Sequence, residues 1–120
     1  MKHQLQSIRP FIGAKDYTIS RNFYRDLRFE EVILSETMSL FRSGAIGFYL
    51  QNYYVQDWID NSMIFLEVDN VERYYSELSA LDFTSKYPTA KLMPIRNEDW
   101  GRECFLLDPS GILWHFGQFR

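Results

Sequence analysis

Residues 100–116 read WGRECFLLDPSGILWHF, two apolar segments separated by a short polar one. The apolar segments, 102–107 and 112–116, are rich in aromatic and aliphatic side chains, which favour β-strands. Between them, Pro109 has the fixed φ that a type I turn needs, and Gly111 allows the chain to leave the turn. We therefore predict a hairpin here. Because its two strands need earlier strands to pair with, we also predict that the fold consists mostly of sheet.

The composition excludes several classes of function. The chain has 120 residues and a mass of 14.4 kDa, which is the size of one domain. Its net charge of −3 provides no basic surface for phosphates, so we expect no nucleic-acid partner. The single cysteine, Cys104, excludes an internal disulfide and a multi-cysteine metal site. The sequence has no apolar secretion signal and no apolar run long enough to span a bilayer, so we expect a cytoplasmic protein with no membrane partner.

The first half of the chain carries the pattern of a strand, a helix and three more strands. Segment 7–14 is a plausible strand. Apolar residues then recur at helical spacing from Ile19 to Leu27 behind Asp16, a favourable N-cap, and predict a helix over residues 16–27. Polar or glycine breaks separate three β-rich segments after the helix: 31–34, 39–42 and 46–50.

The same order of elements returns 54 residues later. Residues 63–68 form a predicted strand, Asn70 caps a predicted helix over 70–81, and a strand over 90–95 precedes the hairpin. Asn70 follows Asp16 by 54 positions, since 70 − 16 = 54. The same offset superposes two further pairs, Leu27 with Leu81 and Phe29 with Phe83. This register indicates a duplicated β-α-β-β-β unit.

The repeat divides the chain into two modules, approximately residues 5–52 and 62–120, joined by a linker over 53–61. The linker combines aromatic and polar residues without clean periodicity and is also a candidate lid. We predict an α+β fold of two tandem β-α-β-β-β modules, in which the curved sheets surround a cleft and the helices lie on the outer faces.

Three motifs resemble those of one superfamily. They are Asp16 followed by FYRDLRF at 23–29, the Trp-Gly-Arg of 100–102, and the Asp-Pro-Ser-Gly of 108–111. Together with the repeat, they resemble the vicinal oxygen chelate superfamily, which includes glyoxalase I, ring-cleaving dioxygenases, fosfomycin-modifying transferases and bleomycin-resistance proteins. The resemblance implies the glyoxalase/bleomycin-resistance fold over nearly the whole chain. Arg28 departs from it, because the family usually has glycine there; either the helix ends differently or Arg28 takes a left-handed conformation.

The superfamily holds a metal ion with histidine and glutamate side chains from four inward-facing strands. By position, these ligands fall here on Arg9, Phe48, Met63 and His115. None is a carboxylate, an arginine has no lone pair to donate, and the thioether of Met63 is too soft for the hard ions that the superfamily uses. We therefore expect no metal and no other cofactor, and the resemblance is closest to the bleomycin-resistance proteins.

The resemblance also predicts which side chains contact a ligand. Because side chains alternate along a strand, the superfamily's inward parity falls on four positions, Arg9, Phe48, Met63 and His115. Arg9 is expected near His115 or its counterpart in a second subunit, with Trp58 and Trp100 near the rim of the cleft. Plainer interpretations remain open: His115 as a histidine that only satisfies one hydrogen bond, and Trp58 as the cover of a sheet edge or part of a dimer interface.

Two classes of function remain open. The first is a homodimeric binding module that sequesters an aromatic or cationic antibiotic or metabolite in an aromatic cleft, since isolated sheet edges and apolar faces would otherwise meet water. The second is an enzyme: a lyase, thiol transferase or dioxygenase of the same superfamily with a divergent metal site, or a cofactor-independent oxygenase on a ferredoxin-like dimer. No catalytic residue can be named from the sequence.

Overall fold

Each half of the chain contains a strand, a helix and three further strands in the computed structural model, which describes residues 2–120. The first half comprises β1 (Phe11–Gly13), α1 (Tyr17–Asp26), β2 (Glu30–Ser35), β3 (Met38–Ser43) and β4 (Ile46–Gln51). A short helix, α2 (Gln56–Asp60), lies between the halves. The second half comprises β5 (Met63–Glu67), α3 (Val71–Ser79), α4 (Phe83–Lys86), β6 (Lys91–Glu98), β7 (Gly101–Leu107) and β8 (Leu113–Phe119).

The two halves form two sheets with the same topology. The strand order is β1-β4-β3-β2 in the first sheet and β5-β8-β7-β6 in the second. In each sheet the first strand of the half runs parallel to the last, and the remaining pairs are antiparallel. The predicted α+β class, the repeated β-α-β-β-β order and the closing hairpin of β7 and β8 are therefore confirmed.

The N-caps of α1 and α3 explain why both helices begin where the sequence predicts. The Asp16 carboxylate accepts a hydrogen bond from the Ile19 N–H at 3.1 Å, and the Asn70 side chain accepts one from the Arg73 N–H at 3.0 Å. These contacts satisfy backbone donors that the first helical turn leaves free. The 54-residue offset correctly relates the two N-caps, Asp16 and Asn70. It fails at Phe83, which begins the extra helix α4 rather than leading into a strand.

Arg28 stands where the resemblance leads us to expect glycine, and its backbone conformation shows how α1 ends without one. Its φ is 76°, so it takes the left-handed conformation, which costs a non-glycine residue roughly 1–2 kcal/mol. Its N–H donates to the Arg25 carbonyl at 3.0 Å, and the Phe29 N–H donates to the Tyr24 carbonyl at 3.2 Å. These bonds close the end of α1 and direct the chain into β2.

One aromatic core joins the two halves. Tyr24 of α1 lies against Phe48 of β4 at 4.9 Å between ring centroids and against Trp114 of β8 at 5.7 Å. Phe48 and Trp114 also contact each other directly, at 5.2 Å. In the second half, Tyr74 of α3 packs on Phe116 at 4.8 Å. The sheet faces that carry the helices therefore meet in a shared interior.

The opposite face of each sheet carries none of the helices α1, α3 and α4, and we call it the open face. In the first sheet it includes Phe11 and Tyr49, and in the second it includes Phe65, Phe105 and His115, because these residues alternate with the core residues along their strands. None of the helices within residues 2–120 is long and apolar enough to cross a membrane.

Candidate functional site

The open face of the first sheet presents an arginine beside two stacked rings. Phe11 of β1 stacks on Tyr49 of β4 with ring centroids 4.7 Å apart and an interplanar angle of 23°. Arg9, two residues before β1 begins, donates from Nη1 to the Tyr49 hydroxyl at 3.2 Å, and its guanidinium carbon lies 5.9 Å from the Tyr49 ring centroid. This face can stack an aromatic ring and offer a cation at its edge.

Phe48 does not share the open face with Arg9, Met63 and His115 as the predicted parity required, although it contributes to the groove between the halves. Its side chain lies on the core face of β4, is 2% exposed, and packs against Tyr24. The residue that corresponds to His115 is Tyr49, since β1 pairs Phe11 with Tyr49 as β5 pairs Phe65 with His115. An error of one residue places a side chain on the other face of a strand.

The open face of the second sheet contains a histidine held by a carboxylate. His115 Nδ1 lies 3.0 Å from Glu103 Oε1, and Glu103 is only 8% exposed. An ionised carboxylate can only accept hydrogen bonds, so Nδ1 carries the proton and donates it. His115 Nε2 lies 3.4 Å from the sulfur of Met63. The pair with Glu103 therefore fixes the imidazole orientation and leaves Nε2 directed toward Met63.

Aromatic rings surround this pair on the same face. The Phe105 ring meets the His115 ring edge-on at 4.8 Å between centroids. Phe65 lies 5.7 Å from both Trp100 and Phe119, which are 5.1 Å from each other. We call Phe65, Trp100 and Phe119 the aromatic cluster. It forms one end of the open face, and the position of Trp100 at the rim of a ligand cleft stays a prediction.

A glycine beneath the aromatic cluster allows the rings to lie close to the sheet. A Cβ at Gly117 would overlap the Phe65 ring and would lie 3.0 Å from the Trp100 ring. Only glycine avoids this overlap, so the close approach of the two rings depends on Gly117. The sequence analysis did not select Phe65, Phe119 or Gly117. The alternation of side chains along β5 and β8 places all three on the same face as His115, and this alternation could have indicated them.

The six predicted ligand-contacting residues do not lie in one place. Arg9, Met63 and Phe65 line a groove of about 640 Å³ between the two halves, and Phe48 and Trp114 contribute to its floor.

His115 reaches this groove only through its contact with Met63, so the chain does not place Arg9 directly against His115. Trp58 belongs to α2, contacts Tyr53 at 5.7 Å between ring centroids, and lines a smaller cavity of about 270 Å³ together with Phe11.

A second large cavity, of about 720 Å³, lies on the helix side of the molecule. Its lining includes the strained Arg28 and residues of α3 such as Leu78, together with carboxylates such as Glu77. None of the six predicted residues lines it. Volume alone does not distinguish the groove from this cavity. We favour the groove as the ligand site because aromatic side chains and the Arg9 guanidinium line it together.

Comparison with solved structures identifies the fold. No family model matches the sequence, and no curated protein sequence matches it significantly. A bleomycin-binding protein from Streptomyces verticillus, solved with copper(II)-bleomycin, superposes with a TM-score of 0.81 at 21% identity over 98% of this chain and 99% of that one. The chain has the glyoxalase/bleomycin-resistance fold.

Two further structures of this fold extend the comparison. The bleomycin resistance determinant encoded on transposon Tn5 has a TM-score of 0.81 at 18% identity, covering 97% of this chain and 99% of that one. Lactoylglutathione lyase from Agrobacterium tumefaciens has a TM-score of 0.72 at 16% identity, covering 97% and 96%. The predicted resemblance is therefore confirmed at the level of the fold.

The residues of this chain do not fit the divalent metal site associated with the glyoxalase/bleomycin-resistance fold. Of the four positions, Arg9 has no lone pair and Met63 offers a soft thioether, and the position that the strand pairing assigns to β4 is Tyr49, whose hydroxyl accepts from Arg9. His115 supplies an imidazole, a borderline donor, and its Nδ1 is already engaged by Glu103. Within residues 2–120, no three His, Cys, Asp or Glu side chains come together as a metal site.

Proposed function

We propose that this protein binds a small aromatic molecule on its open faces without a metal ion, and that it does so as a homodimer. The proposal rests mainly on one observation, the exposure of aromatic rings on the open faces. Phe11 is 59% exposed, Phe65 45% and Phe119 53%. Rings that only filled a core would be buried, as Tyr24 is.

Polar groups beside the rings support a binding role. Arg9 lies at the edge of the Phe11–Tyr49 stack, and the His115–Glu103 pair lies beside Phe65 and Phe105. Ligand sites typically combine an apolar or aromatic lining with a few fixed polar groups that orient the ligand. The groove between the halves, at about 640 Å³, is within the usual range for a small-molecule site.

The similar structures support the same class of function. Two of them are described as a bleomycin-binding protein and a bleomycin resistance determinant, so a binder of an antibiotic is a natural proposal for this chain. The enzyme alternative has less support here, because the four metal-ligand positions do not supply a suitable donor set.

The geometry of the open faces supports the proposed homodimer. Each sheet has one face in the shared core, so its other face points away from that core and leaves its rings in water. Contiguous exposed apolar surface of this kind typically marks an interface or a ligand site. We propose that a second copy of the chain covers part of these faces and closes the ligand site.

The test is a thermal-shift screen with bleomycin and a set of flat aromatic acids, amides and amines. A ligand of the folded state raises the melting temperature by mass action, in proportion to the logarithm of its concentration above Kd. Trp100→Ala should reduce the shift, whereas Tyr54→Ala, an exposed aromatic outside the groove and the cluster, should not.

Two results would contradict the proposal. One is the absence of any shift across the screen at millimolar concentration. The other is a stoichiometric divalent metal in protein purified without chelator, which would favour the enzyme alternative.

A further inference from the structure

We propose that Arg9 selects an anionic ligand: the aromatic molecule bound by this protein carries a carboxylate or a similar oxyanion that Arg9 binds. This inference rests on the proposed function and specifies the chemical class of its ligand. It makes Arg9 a specificity-determining residue of the groove.

The first observation is an unused hydrogen-bond donor. Arg9 Nε is buried and has no acceptor within hydrogen-bonding distance, whereas Nη1 donates to the Tyr49 hydroxyl. Buried polar groups in folded proteins are nearly always hydrogen-bonded, and a buried N–H of a charged group is especially unfavourable without an acceptor. Among the buried side-chain nitrogens and oxygens of residues 2–120, Arg9 Nε is the one left without a partner.

The second observation is the charge balance of the open faces. Arg42, on the open face of the first sheet, pairs with Glu30 at 3.0 Å, and Arg96, on that of the second, pairs with Glu98 at 3.6 Å. Arg9 has no carboxylate partner within the described part of the chain. Its guanidinium is therefore available to an external anion.

The third observation is the geometry next to the guanidinium. Contact with the Tyr49 ring and hydroxyl restrains the Arg9 side chain, and Phe11 continues the aromatic surface on the other side of Tyr49. A planar guanidinium can present two parallel N–H groups to one carboxylate. Arg9 and the apolar side chains of Met63 and Phe65 line the same groove, so a ligand ring and its acidic group can be bound together there.

A cationic ligand fits this groove less well. It would meet the positive charge of Arg9, and Glu103, a buried carboxylate on the second open face, is already paired with His115. The same groove in this protein should therefore prefer an aromatic acid to the matching amine.

Isothermal titration with three naphthalenes of the same shape tests the inference: 2-naphthoate, 2-naphthamide and 2-naphthylmethylamine. We expect 2-naphthoate to bind about ten- to a hundredfold more tightly than the amide, the range for a hydrogen bond made to a charged group, and the amine to bind most weakly. Arg9→Met should abolish the preference for the acid and leave the affinity for the amide unchanged within about threefold.

Two further variants distinguish a specific effect of the Arg9 guanidinium from the effect of positive charge on this face. Arg42→Met removes a paired cation from the same face and should keep the preference for 2-naphthoate. Arg9→Lys keeps the charge without the planar fork and should retain part of the preference, and it serves as the second variant if Arg9→Met does not fold.

Equal binding of acid and amide by the wild type, or an unchanged preference in the folded Arg9 variants, would overturn the inference while leaving the proposed function intact. Failure of all three naphthalenes to bind would instead count against the proposed function, and the inference would fall with it.

Discussion

Tyr24 of α1 donates a hydrogen bond from its hydroxyl to Asp108 Oδ2 at 2.6 Å, and this contact joins the two halves of the chain inside the core. The other oxygen, Oδ1, accepts the backbone N–H groups of Ser110, Gly111 and Ile112 at 2.9 Å each. Burial raises the pKa of Asp108 in spite of these hydrogen bonds, and burial together with Asp108 raises that of Tyr24. The pair therefore fixes the turn between β7 and β8 against the first module.

Replacing Asp108 should strongly destabilise the fold. Asp108→Ala leaves the backbone N–H groups of Ser110 and Ile112 and the Tyr24 hydroxyl without their acceptor, whereas the Gly111 N–H keeps its bond to the backbone carbonyl of residue 108. We expect the free energy of unfolding to fall by about 3 kcal/mol. Urea denaturation followed by circular dichroism measures the change. Asp99→Ala, at an exposed turn, is the matched control and should change it by less than about 0.5 kcal/mol. Similar losses for both variants would show that the buried contact is not special.

Glu31 should make stability depend on pH. Its carboxylate accepts from Arg21 Nε at 2.7 Å and from the Ser39 hydroxyl at 2.6 Å, and it pairs with Arg25 at 3.2 Å. Burial alone would raise the pKa of Glu31, but Arg21, Ser39 and Arg25 outweigh it and hold the pKa below its usual 4.5. A lowered pKa in the folded state adds stability above pH 4.5, and this contribution is lost as the pH falls through the folded-state pKa.

The variant Glu31→Gln isolates that contribution. At pH 7 we expect it to be less stable than the wild type by about 1–2 kcal/mol. The difference should shrink toward zero as the pH falls below 4.5 and through the lowered pKa of Glu31. Thermal melts at a series of pH values measure the difference. Glu36→Gln, at an exposed turn, should show no such trend. If the stability difference between Glu31→Gln and the wild type grew as the pH fell, the pKa of Glu31 could not be lowered in the folded state.

The sequence predicts the repeat well because its signals are local. The caps at Asp16 and Asn70 and the apolar periodicity behind them depend on neighbouring residues alone, and the structure contains both helices. The face of β4 depends instead on how far the chain runs between helix and strand, which differs between the modules because α4 is inserted in the second. The sequence alone therefore does not fix which residue of β4 corresponds to His115, and the strand pairing assigns Tyr49 rather than Phe48.

The His115–Glu103 pair could not be predicted without the register of the hairpin. Glu103 lies opposite Gly117 in the β7–β8 pairing, and His115 lies opposite Phe105, so the two residues are diagonal neighbours on one face. A shift of one residue would have separated them. The extended sequence before β1 likewise gave no indication that Arg9 would contact Tyr49, 40 residues away.

The aromatic cluster should contribute to self-association. If a second copy covers the open face, Phe119→Asp places a charge in the interface, and we expect dimerisation to weaken at least tenfold. Sedimentation equilibrium across micromolar concentrations measures it. Ile19→Asp, an equally drastic change at an exposed position of α1, should leave the dimer intact. A wild-type protein that sediments as a monomer throughout this range would contradict the homodimer.

His115 should contribute one hydrogen bond to the ligand. Because Glu103 holds the imidazole with Nε2 directed toward Met63, a displacement of the exposed Met63 side chain frees Nε2 for a ligand donor. We expect His115→Ala to weaken binding of 2-naphthamide by about 1 kcal/mol, which is roughly fivefold. Isothermal titration measures the loss, with His3→Ala as the control. An unchanged affinity would assign His115 a structural role only.

An amide-resolved NMR titration of the ¹⁵N-labelled protein with 2-naphthoate shows where the ligand binds. We expect the largest changes in amide chemical shift on the open faces and in the groove, at residues such as Tyr49, Met63 and Phe65. Changes centred instead on the helix-side cavity, at Arg28 and Leu78, would place the ligand in the wrong part of the molecule and contradict the account.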